Sequence, residues 1–443
     1  MMAVGSVAIV GGGVAGFTVA QELRSRGFDG EITMVEPGGL PYDRPPLSKD
    51  YLLGAQTLEQ IQFQPREWFV ENRVTLIEDS AVAVDAPAAG SANDQPTVRL
   101  SNGDAVAADR IVLATGGAAR KLPVPGGELP EVLELRTRAD ADRLRDSVGE
   151  GTRIVVVGAG LIGAEAASTL LALGADVTLV EPAQPPLVPA VGPVLAEYLH
   201  AMHAERGIDV IQSAPARIEV GGTELDGAEI DGAERVVTLT DGTQLRAGQV
   251  LVGIGITPNT ALAEAMGLEV NDGVVVDERQ QTSNPAVFAV GDAARMRTAD
   301  GELLPRAEHW ENAMHSGARA AAAILGQDIP QQGAPWFWSD RHGVHVEGVG
   351  SLAPQPVAHP APHPEAGAAD SAQYIHRFNG DGTPQATFLL NPDGSMAGCA
   401  AVDGGMTVRA ARRIIDQGIV VPADALADPS VPLRKLARPP RNA

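Results

Sequence analysis

Two apolar runs of the chain lead into the same pattern of glycines. Residues 7 to 10 read VAIV and residues 154 to 157 read IVVV, and each run is followed by the pattern G-x-G-x-x-G. A short, continuous apolar run bounded by turn residues predicts a strand buried on both faces, and the glycines mark a turn into a helix. The next apolar run of each copy ends in an acid, Glu36 or Glu181. The pattern therefore predicts the same strand, glycine loop, helix and strand twice.

The three glycines of such a loop have different tasks. They are Gly11, Gly13 and Gly16 in the first copy, and Gly158, Gly160 and Gly163 in the second. The first permits a tight turn, the second lets the backbone approach a pyrophosphate, and the third lets the helix pack on the strand, so that the phosphates lie at the helix N-terminus. The acid accepts hydrogen bonds from a ribose 2′-hydroxyl and repels a 2′-phosphate. We interpret the repeat as two dinucleotide sites; the alternative is that one copy is a structural unit only.

The rest of the chain continues an α/β pattern. We predict strands within residues 109 to 117, 249 to 259 and 282 to 294, and a helix over residues 311 to 325. Residues 351 to 370 are rich in Pro, Ala and His and predict a flexible loop, in which His359 and His363 lack acidic or cysteine partners at metal-ligand spacing. We predict that about the last hundred residues form a separate α+β module.

Length and charge limit the classes of function. A chain of 443 residues exceeds what one hydrophobic core serves, so we expect two to three domains. The formal net charge of −23 counts against nucleic acid or an anionic membrane as the partner. No apolar run reaches the length of a membrane span, and we interpret the N-terminal run as the first strand, since no basic residue of a signal peptide precedes Arg24.

The number of cysteines excludes redox chemistry that relays electrons through a pair of cysteines. The single cysteine, Cys399, allows neither an intramolecular disulfide nor a C-x-x-C pair, which flavoenzymes that reduce disulfides require. One cysteine is also compatible with a reducing compartment, and we expect a cytoplasmic protein.

Seven segments together carry a family resemblance. They are LPYDRPPLSK at 40 to 49, ATGGAAR at 114 to 120, LRT at 135 to 137, GLIGAEAA at 160 to 167, GIGITPN at 253 to 259, TSNPAVFAVGD at 282 to 292 and PWFWSD at 335 to 340. In this order they resemble the FAD-dependent, NADH-linked ferredoxin reductases of bacterial oxygenase systems. One departure is Arg-His after PWFWSD, where the family more often has Gln-Tyr, and it affects the expected partner-facing edge.

The resemblance implies a glutathione-reductase-like fold of the α/β class. Two Rossmann-like dinucleotide-binding domains are followed by an α+β C-terminal domain. The FAD domain would comprise residues 1–120 and 249–328, the NAD domain residues 121–248, and the C-terminal interface domain residues 329–443.

The resemblance also assigns the two glycine loops. The first would hold FAD, with Ala15 in the loop and Glu36 at the adenosine ribose, and the second would hold NAD, with Ile162 in the loop and Glu181 at the ribose. The five residues after Glu181, PAQPP, contain no arginine to receive a 2′-phosphate, so we expect NADH rather than NADPH.

Further residues are implied to contact FAD, and one of them, Lys49, is implied to form the catalytic pair with Glu165. The contacts are Arg44, Lys49, Val82, Thr115, Arg136, Asp292 and Trp310. Lys49 would lie near the isoalloxazine ring with Glu165 as its acidic partner, since a cation beside the ring stabilises the reduced flavin. Taken alone, Lys49 could simply follow a helix cap at Ser48, and Val82 could be a core residue.

The implied activity passes a hydride from NADH to FAD and then single electrons to an acidic two-iron, two-sulfur ferredoxin that feeds an oxygenase. Basic residues that could dock this carrier are Arg409, Arg412, Arg413, Arg434, Lys435 and Arg438. Two alternatives are a related NADH flavoenzyme with a small-molecule acceptor, and a redox-sensing flavoprotein that resembles apoptosis-inducing factor.

Overall fold

The computed structural model describes residues 4–86, 95–221, 224–225, 228–229, 234–354 and 372–437. They divide into two compact units. The first unit comprises residues up to Arg120, Arg136–Arg138 and Gly255–Gln332. The second comprises Lys121–Leu135, Ala139–Ile254 and the chain from Gly333 onwards.

The helices and strands are numbered in chain order. Up to residue 254 they are β1 Ser6–Val10, α1 Val14–Ser25, β2 Glu31–Val35, α2 Leu58–Ile61, α3 Arg66–Glu71, β3 Val74–Ile77, β4 Ala81–Asp85, β5 Thr97–Leu100, β6 Ala105–Ala107, β7 Arg110–Leu113, β8 Gly117–Ala119, β9 Val132–Leu133, α4 Arg138–Ser147, β10 Arg153–Val157, α5 Leu161–Ala172, β11 Asp176–Val180, α6 Val188–Val191, α7 Pro193–Glu205, β12 Asp209–Ile211, β13 Pro215–Val220, β14 Glu224–Leu225, β15 Ala228–Glu229, β16 Arg235–Leu239, β17 Gln244–Ala247 and β18 Gln249–Val252. From residue 255 they are β19 Ile256–Pro258, α8 Ala261–Ala265, β20 Val274–Val276, β21 Val287–Ala289, β22 Ala294–Met296, α9 Trp310–Ile324, β23 Trp336–Arg341, β24 Val344–Gly350, β25 Gln373–Phe378, β26 Pro384–Leu390, β27 Met396–Val402, α10 Gly405–Asp416, α11 Ala423–Ala427 and α12 Leu433–Leu436.

A parallel sheet forms the centre of the first unit. Its strand order is β21-β7-β1-β2-β3, and all four pairings are parallel. Val7 and Ile9 of β1 pack against α1 and α9, whereas Ala8 and Val10 pack with the small antiparallel sheet β4-β5-β6. Because β1 is covered on both faces, its sequence is a continuous apolar run rather than an alternation.

The second unit repeats this arrangement around the second glycine loop. Its parallel sheet has the order β12-β11-β10-β18-β9, and the antiparallel sheet β13-β16-β17 contributes to the core with it. Strands β10 and β11 are as apolar as β1 and β2 and pair in the same way. The prediction of two Rossmann-like units is confirmed.

The C-terminal part of the second unit is an antiparallel sheet with the order β23-β24-β27-β26-β25. One face packs on α10, α11 and α12, as the α+β prediction required. The other face packs on helices α6 and α7, which belong to the predicted NAD domain, through residues that include Leu195, Leu199 and Leu389. The predicted NAD and C-terminal domains therefore share an apolar core.

One predicted strand is divided between the two units. Residues 249 to 259 form β18, which pairs with β10 and β9, and then β19, which pairs with β8. Our prediction that the second part of the FAD domain begins at residue 249 was wrong for β18, because its register continues the second sheet. Gly253 to Gly255 connect the two strands without strand pairing.

The predicted loop at 351 to 370 lies outside the described residues from 355 onwards, as do His359 and His363. Within the described ranges no three His, Cys, Asp or Glu side chains are grouped as a metal site. None of the described helices combines the length and the apolar character needed to cross a bilayer.

Candidate functional site

The first glycine loop connects β1 to α1, and two of its glycines lie very close to backbone carbonyl groups. Gly11 has φ +107°, and a Cβ added to it would lie 2.3 Å from the Ala114 carbonyl oxygen. A Cβ on Gly16 would lie 2.0 Å from the Gly11 carbonyl oxygen. In contrast, a Cβ on Gly13 would meet nothing within 4 Å. The first and third glycines are thus required by the fold, whereas the second faces open space.

The second loop has the same geometry. Gly158 has φ +101°, and a Cβ on Gly163 would lie 2.0 Å from the Gly158 carbonyl oxygen. Gly160 again meets nothing within 4 Å. Both middle glycines are the N-cap residues of 12-residue helices that have neither a side-chain cap nor an acid in the first turn. The N-termini of α1 and α5 are therefore open to an anion in the way a pyrophosphate requires.

The two predicted acids lie at equivalent points beside these loops. Glu36 accepts hydrogen bonds from the Gly12 and Gly38 amides, at 2.6 and 2.8 Å. Glu181 accepts them from the Ala159 and Ala183 amides, both at 2.8 Å. Since each carboxylate oxygen has a second lone pair, both acids can still accept hydrogen bonds from a ribose.

The residues between the glycines differ in exposure between the copies. Ala15 is buried, and a Cβ on Gly291 would lie 2.9 Å from its methyl group. Ile162 is 45% exposed at the start of α5. A large apolar side chain exposed beside an open helix N-terminus is suited to contact with a ligand.

Two arginines and an aspartate meet at Gly116 in the first unit. A Cβ on Gly116 would lie 3.6 Å from Nη2 of Arg136 and 3.6 Å from Nη1 of Arg44. Arg136 donates to the Asp292 carboxylate at 2.7 Å and to the Gly117 carbonyl at 2.8 Å. Burial, followed by the charge of Arg136, lowers the pKa of Arg44, and Asp292 acts against this shift. Two guanidinium groups at one point, one of them paired with Asp292, form a suitable place for a further anion such as a pyrophosphate.

Trp310 is tied to the segment that carries Arg44 and Lys49. Its indole Nε1 donates to Asp43 Oδ1 at 2.8 Å, and burial raises the pKa of Asp43. Asp43 precedes the 3₁₀ helix Pro45–Ser48, after which the half-buried Lys49 follows. The structure thus places Trp310 and the Lys49 segment beside each other in the first unit.

Thr115 directly precedes Gly116, whereas Val82 lies on β4, elsewhere in the first unit. The Thr115 hydroxyl donates to the Asn259 carbonyl at 2.7 Å, which fastens the end of β7 to the GIGITPN segment. Val82 is 57% exposed, at a register irregularity between β4 and β5. The interpretation of Val82 as a core residue was wrong, because the irregularity turns its side chain to solvent.

Glu165 is buried in the second unit. It is 3% exposed, and its Oε1 accepts hydrogen bonds from the Ser339 hydroxyl at 2.6 Å and from the Asp340 amide at 3.1 Å. Lys49 belongs to the first unit, and its pairing with Glu165 stays a prediction.

Sequence reasoning missed Ser339, Arg341 and Asp43. Arg341 is 3% exposed and donates to the Ser339 hydroxyl at 3.0 Å. Ser339 and Arg341 are two residues apart on β23 and point to the same buried face. No local signal in the sequence indicated this burial, because polar residues in alternation are typical of the solvent-facing side of a strand.

The chain matches two family descriptions. Residues 5–317 match "Pyridine nucleotide-disulphide oxidoreductase", and residues 336–437 match "Reductase C-terminal". The benzene 1,2-dioxygenase system ferredoxin–NAD(+) reductase subunit of Pseudomonas putida is 33% identical over 98% of this chain and 97% of its own. Rhodocoxin reductase of Rhodococcus erythropolis is 36% identical over 79% of this chain and 78% of its own.

A solved structure is similar over nearly the whole chain. It is the reductase of the covalent putidaredoxin reductase–putidaredoxin complex, with a TM-score of 0.82 and 31% identity over 98% of both chains. The resemblance found in the sequence is confirmed.

We predict that Gly13→Val leaves the fold intact and weakens FAD binding by about tenfold or more, because its side chain occupies the space that a pyrophosphate needs. Fluorescence titration of the FAD-free protein with FAD measures the affinity, and circular dichroism monitors the fold. Gly380→Val is the matched control, since a Cβ on Gly380 also meets nothing within 4 Å but lies in the β25–β26 turn. Equal FAD affinity in the two variants would contradict the prediction that the first glycine loop binds FAD.

Proposed function

Because the chain belongs to the pyridine nucleotide-disulphide oxidoreductase family and carries a reductase C-terminal domain, we propose that it is an NADH-dependent ferredoxin reductase of an oxygenase system. The observation that carries the proposal is the pair of loops in which only the middle glycine, Gly13 or Gly160, faces open space. Two dinucleotides can bind to one chain in this arrangement. When bound, FAD accepts a hydride from NADH and releases electrons singly.

We assign the first loop to FAD. The N-terminus of α1, Arg44 and Arg136 supply donors and positive charge for the pyrophosphate, and Glu36 accepts from the adenosine ribose. Asp292 lies at the start of the 3₁₀ helix Gly291–Ala293, where Arg136 fixes its carboxylate, and it would hold the ribityl chain. Ala15, Val82, Thr115 and Trp310 would complete the contacts.

We assign the second loop to NADH. The open N-terminus of α5 would bind the pyrophosphate, Ile162 would contact the dinucleotide, and Glu181 would accept from the ribose. A carboxylate at the position of a 2′-phosphate disfavours NADPH by charge repulsion.

The roles of Lys49 and Glu165 are electrostatic. Lys49 would place its cation near the isoalloxazine ring, where reduction builds up negative charge, and Glu165 would orient this cation. No nucleophile is needed. Cys399 is fully buried, and burial raises the pKa of its thiol, so it is unsuited to a thiolate relay.

We propose a two-iron, two-sulfur ferredoxin as the electron acceptor and α10 as its docking surface. Met406 is 75% exposed, and Arg409 and Arg413 are exposed at helical spacing from it. An exposed apolar side chain flanked by cations suits an acidic carrier, although the whole chain is acidic, because steering depends on local charge.

The other predicted docking cations differ in their surroundings. Arg412 is partly buried beside Asp416 at 3.9 Å, whereas Arg434 and Lys435 are exposed on α12. Arg438 lies outside the described residues. We further propose a cytoplasmic location, which the single, buried cysteine supports.

We predict that Glu181→Gln raises the kcat/KM for NADPH relative to that for NADH by about tenfold, because it removes the charge that repels a 2′-phosphate. Steady-state reduction of ferricyanide with each coenzyme measures the ratio. Glu36→Gln is the matched control: it makes the same change in the first copy and should weaken FAD binding with the coenzyme preference unchanged. A shift of preference in the Glu36 variant would reverse our assignment of the two loops.

We predict that Arg409→Glu with Arg413→Glu lowers kcat/KM for ferredoxin by about tenfold or more at low salt, with the difference diminishing as salt screens the charges. Reduction of ferricyanide, which needs no protein docking, should stay unchanged. The control is Arg66→Glu with Arg99→Glu, which makes the same change of charge at two exposed arginines of the first unit. Equal losses with ferredoxin in both double variants would exclude α10 as the docking surface.

A further inference from the structure

A hydrogen bond joins two distant parts of the first unit, the start of α9 and the segment before the 3₁₀ helix Pro45–Ser48. The Trp310 indole Nε1 donates to Asp43 Oδ1 at 2.8 Å, although 267 residues separate the two in the chain. The direction is fixed because an indole nitrogen can only donate. Both residues are partly buried, and both belong to the first unit. The orientation of the Trp310 ring is therefore coupled to the Asp43 carboxylate.

The packing of α9 places Trp310 on the side of the first glycine loop. A Cβ on Gly317 would lie 2.7 Å from the Ala15 carbonyl oxygen. A Cβ on Gly291 would lie 2.9 Å from the Ala15 methyl group and 3.7 Å from that of Ala313. Trp310, Ala313 and Gly317 are spaced as residues of one helix face. Since a helix rises about 1.5 Å per residue, Trp310 lies within about 10 Å of Gly317 along α9, near the N-terminus of α1 where we place FAD.

The backbone holds the Asp43 end of this contact. The Asp43 amide donates to the Ile61 carbonyl at 2.8 Å. The next residue, Arg44, is the N-cap of the 3₁₀ helix, and Lys49 is its C-cap. Asp43 has a short side chain with few rotamers, so a fixed backbone leaves its carboxylate little freedom. The carboxylate can therefore serve as a fixed acceptor for the indole.

The surroundings of Asp43 make this hydrogen bond important for its charge. Burial raises the pKa of Asp43, and three effects oppose the shift: the hydrogen bond from Trp310, a hydrogen bond from the Arg44 backbone and the charge of Lys49. An ionised carboxylate away from water is costly unless hydrogen bonds and a nearby cation compensate it. All three compensating groups belong to the first unit. Trp310 thus stabilises the charge of Asp43, while Asp43 orients Trp310.

We propose that Asp43 is a positioning residue that holds the Trp310 ring in the orientation in which it contacts FAD. The contact with FAD rests on the proposed function, whereas the coupling between Asp43 and Trp310 does not. A side chain that is held before the ligand binds loses little further freedom on binding, so its orientation adds to the affinity. Asp43 thus strengthens the binding of FAD through Trp310.

The first test compares the release of FAD from Asp43→Ala, Asp43→Asn, Trp310→Phe and the double variant of Asp43→Ala with Trp310→Phe. The rise of free flavin fluorescence after dilution of the FAD-loaded protein measures the rate. We expect Asp43→Ala to release FAD about two- to tenfold faster than wild type, because its indole has to be ordered anew on binding. Asp43→Asn should retain most of the wild-type behaviour, since its amide oxygen can still accept from the indole.

The emission of the bound flavin is a readout that a general structural role of Asp43 would not change. An aromatic ring in contact with a flavin quenches its fluorescence. We therefore expect Asp43→Ala to raise the emission towards that of Trp310→Phe, and the double variant to show no further change in emission or FAD release beyond Trp310→Phe. Effects of the two single variants that add in the double variant would overturn the proposal.

Thermal unfolding of the FAD-loaded protein, followed by circular dichroism, tests the coupling without reference to FAD. Trp310→Phe removes a donor to ionised Asp43 and so raises the folded-state pKa of this carboxyl further. The stability of the folded protein then falls as pH rises through that value, and the deficit relative to wild type grows with pH. Asp43→Asn in the same chain should abolish this growth. A deficit in Trp310→Phe that is independent of pH would exclude the coupling.

Asp109→Ala is the matched control in the first unit. Its carboxylate accepts hydrogen bonds from the Gly5 and Ser6 amides at 2.6 and 3.1 Å, at the end of β1 that is remote from the glycine loop. The variant loses the same charge and should leave FAD release and flavin emission unchanged. Equally fast release from Asp109→Ala and Asp43→Ala would contradict a specific role of Asp43.

The outcomes also separate this proposal from the proposed function. If Trp310→Phe leaves both FAD release and flavin emission unchanged, the assigned contact of Trp310 with FAD fails, and with it the role of Asp43 in binding FAD. The pH dependence of unfolding then still decides whether Asp43 and Trp310 are coupled.

Discussion

The site depends on one steric constraint, the contact of each helix with the strand that precedes it. At both loops the third glycine approaches the carbonyl oxygen of the first so closely that a Cβ would lie 2.0 Å from it. This contact brings the open helix N-terminus to the end of the sheet, where Glu36 or Glu181 is held by loop amides. Binding of a pyrophosphate is then a consequence of backbone geometry. In our proposal, the side chains around the loops decide which dinucleotide each copy takes.

A second constraint is the burial of charge in the second unit. The C-terminal sheet shares an apolar core with α6 and α7, and it contributes Ser339 and Arg341 to the surroundings of Glu165. Glu165, which belongs to the predicted NAD domain, is thus held by residues of the C-terminal sheet. The same sheet carries α10, with Arg409 and Arg413, on its other face. One sheet therefore supplies the hydrogen bond from Ser339 to Glu165 and packs against the helix proposed to dock the carrier.

The glycine loops, their acids and the α/β class could be predicted from the sequence because local backbone requirements dictate them. The division at residues 253 to 255 could not, since the apolar character of β18 continues into GIGITPN and only strand pairing reveals the break. The burial of Arg341 was also hidden, because Ser and Arg in alternation indicate a solvent-facing side of a strand. Here that side is buried, and Glu165, 174 residues from Ser339, compensates the charge. Pairings over such separations depend on tertiary packing, which local patterns do not report.

The central claim is that this chain converts the two electrons of NADH into two single-electron transfers through FAD to a ferredoxin. The most direct measurement is an anaerobic stopped-flow experiment in which the purified, FAD-loaded protein is reduced by one equivalent of NADH and then mixed with a two-iron, two-sulfur ferredoxin. We predict rapid loss of the oxidised flavin absorbance, followed by reduction of two ferredoxin molecules for each NADH consumed. Flavin that NADH reduces, but that transfers no electrons to any of a panel of such ferredoxins while still reducing small acceptors, would contradict this account.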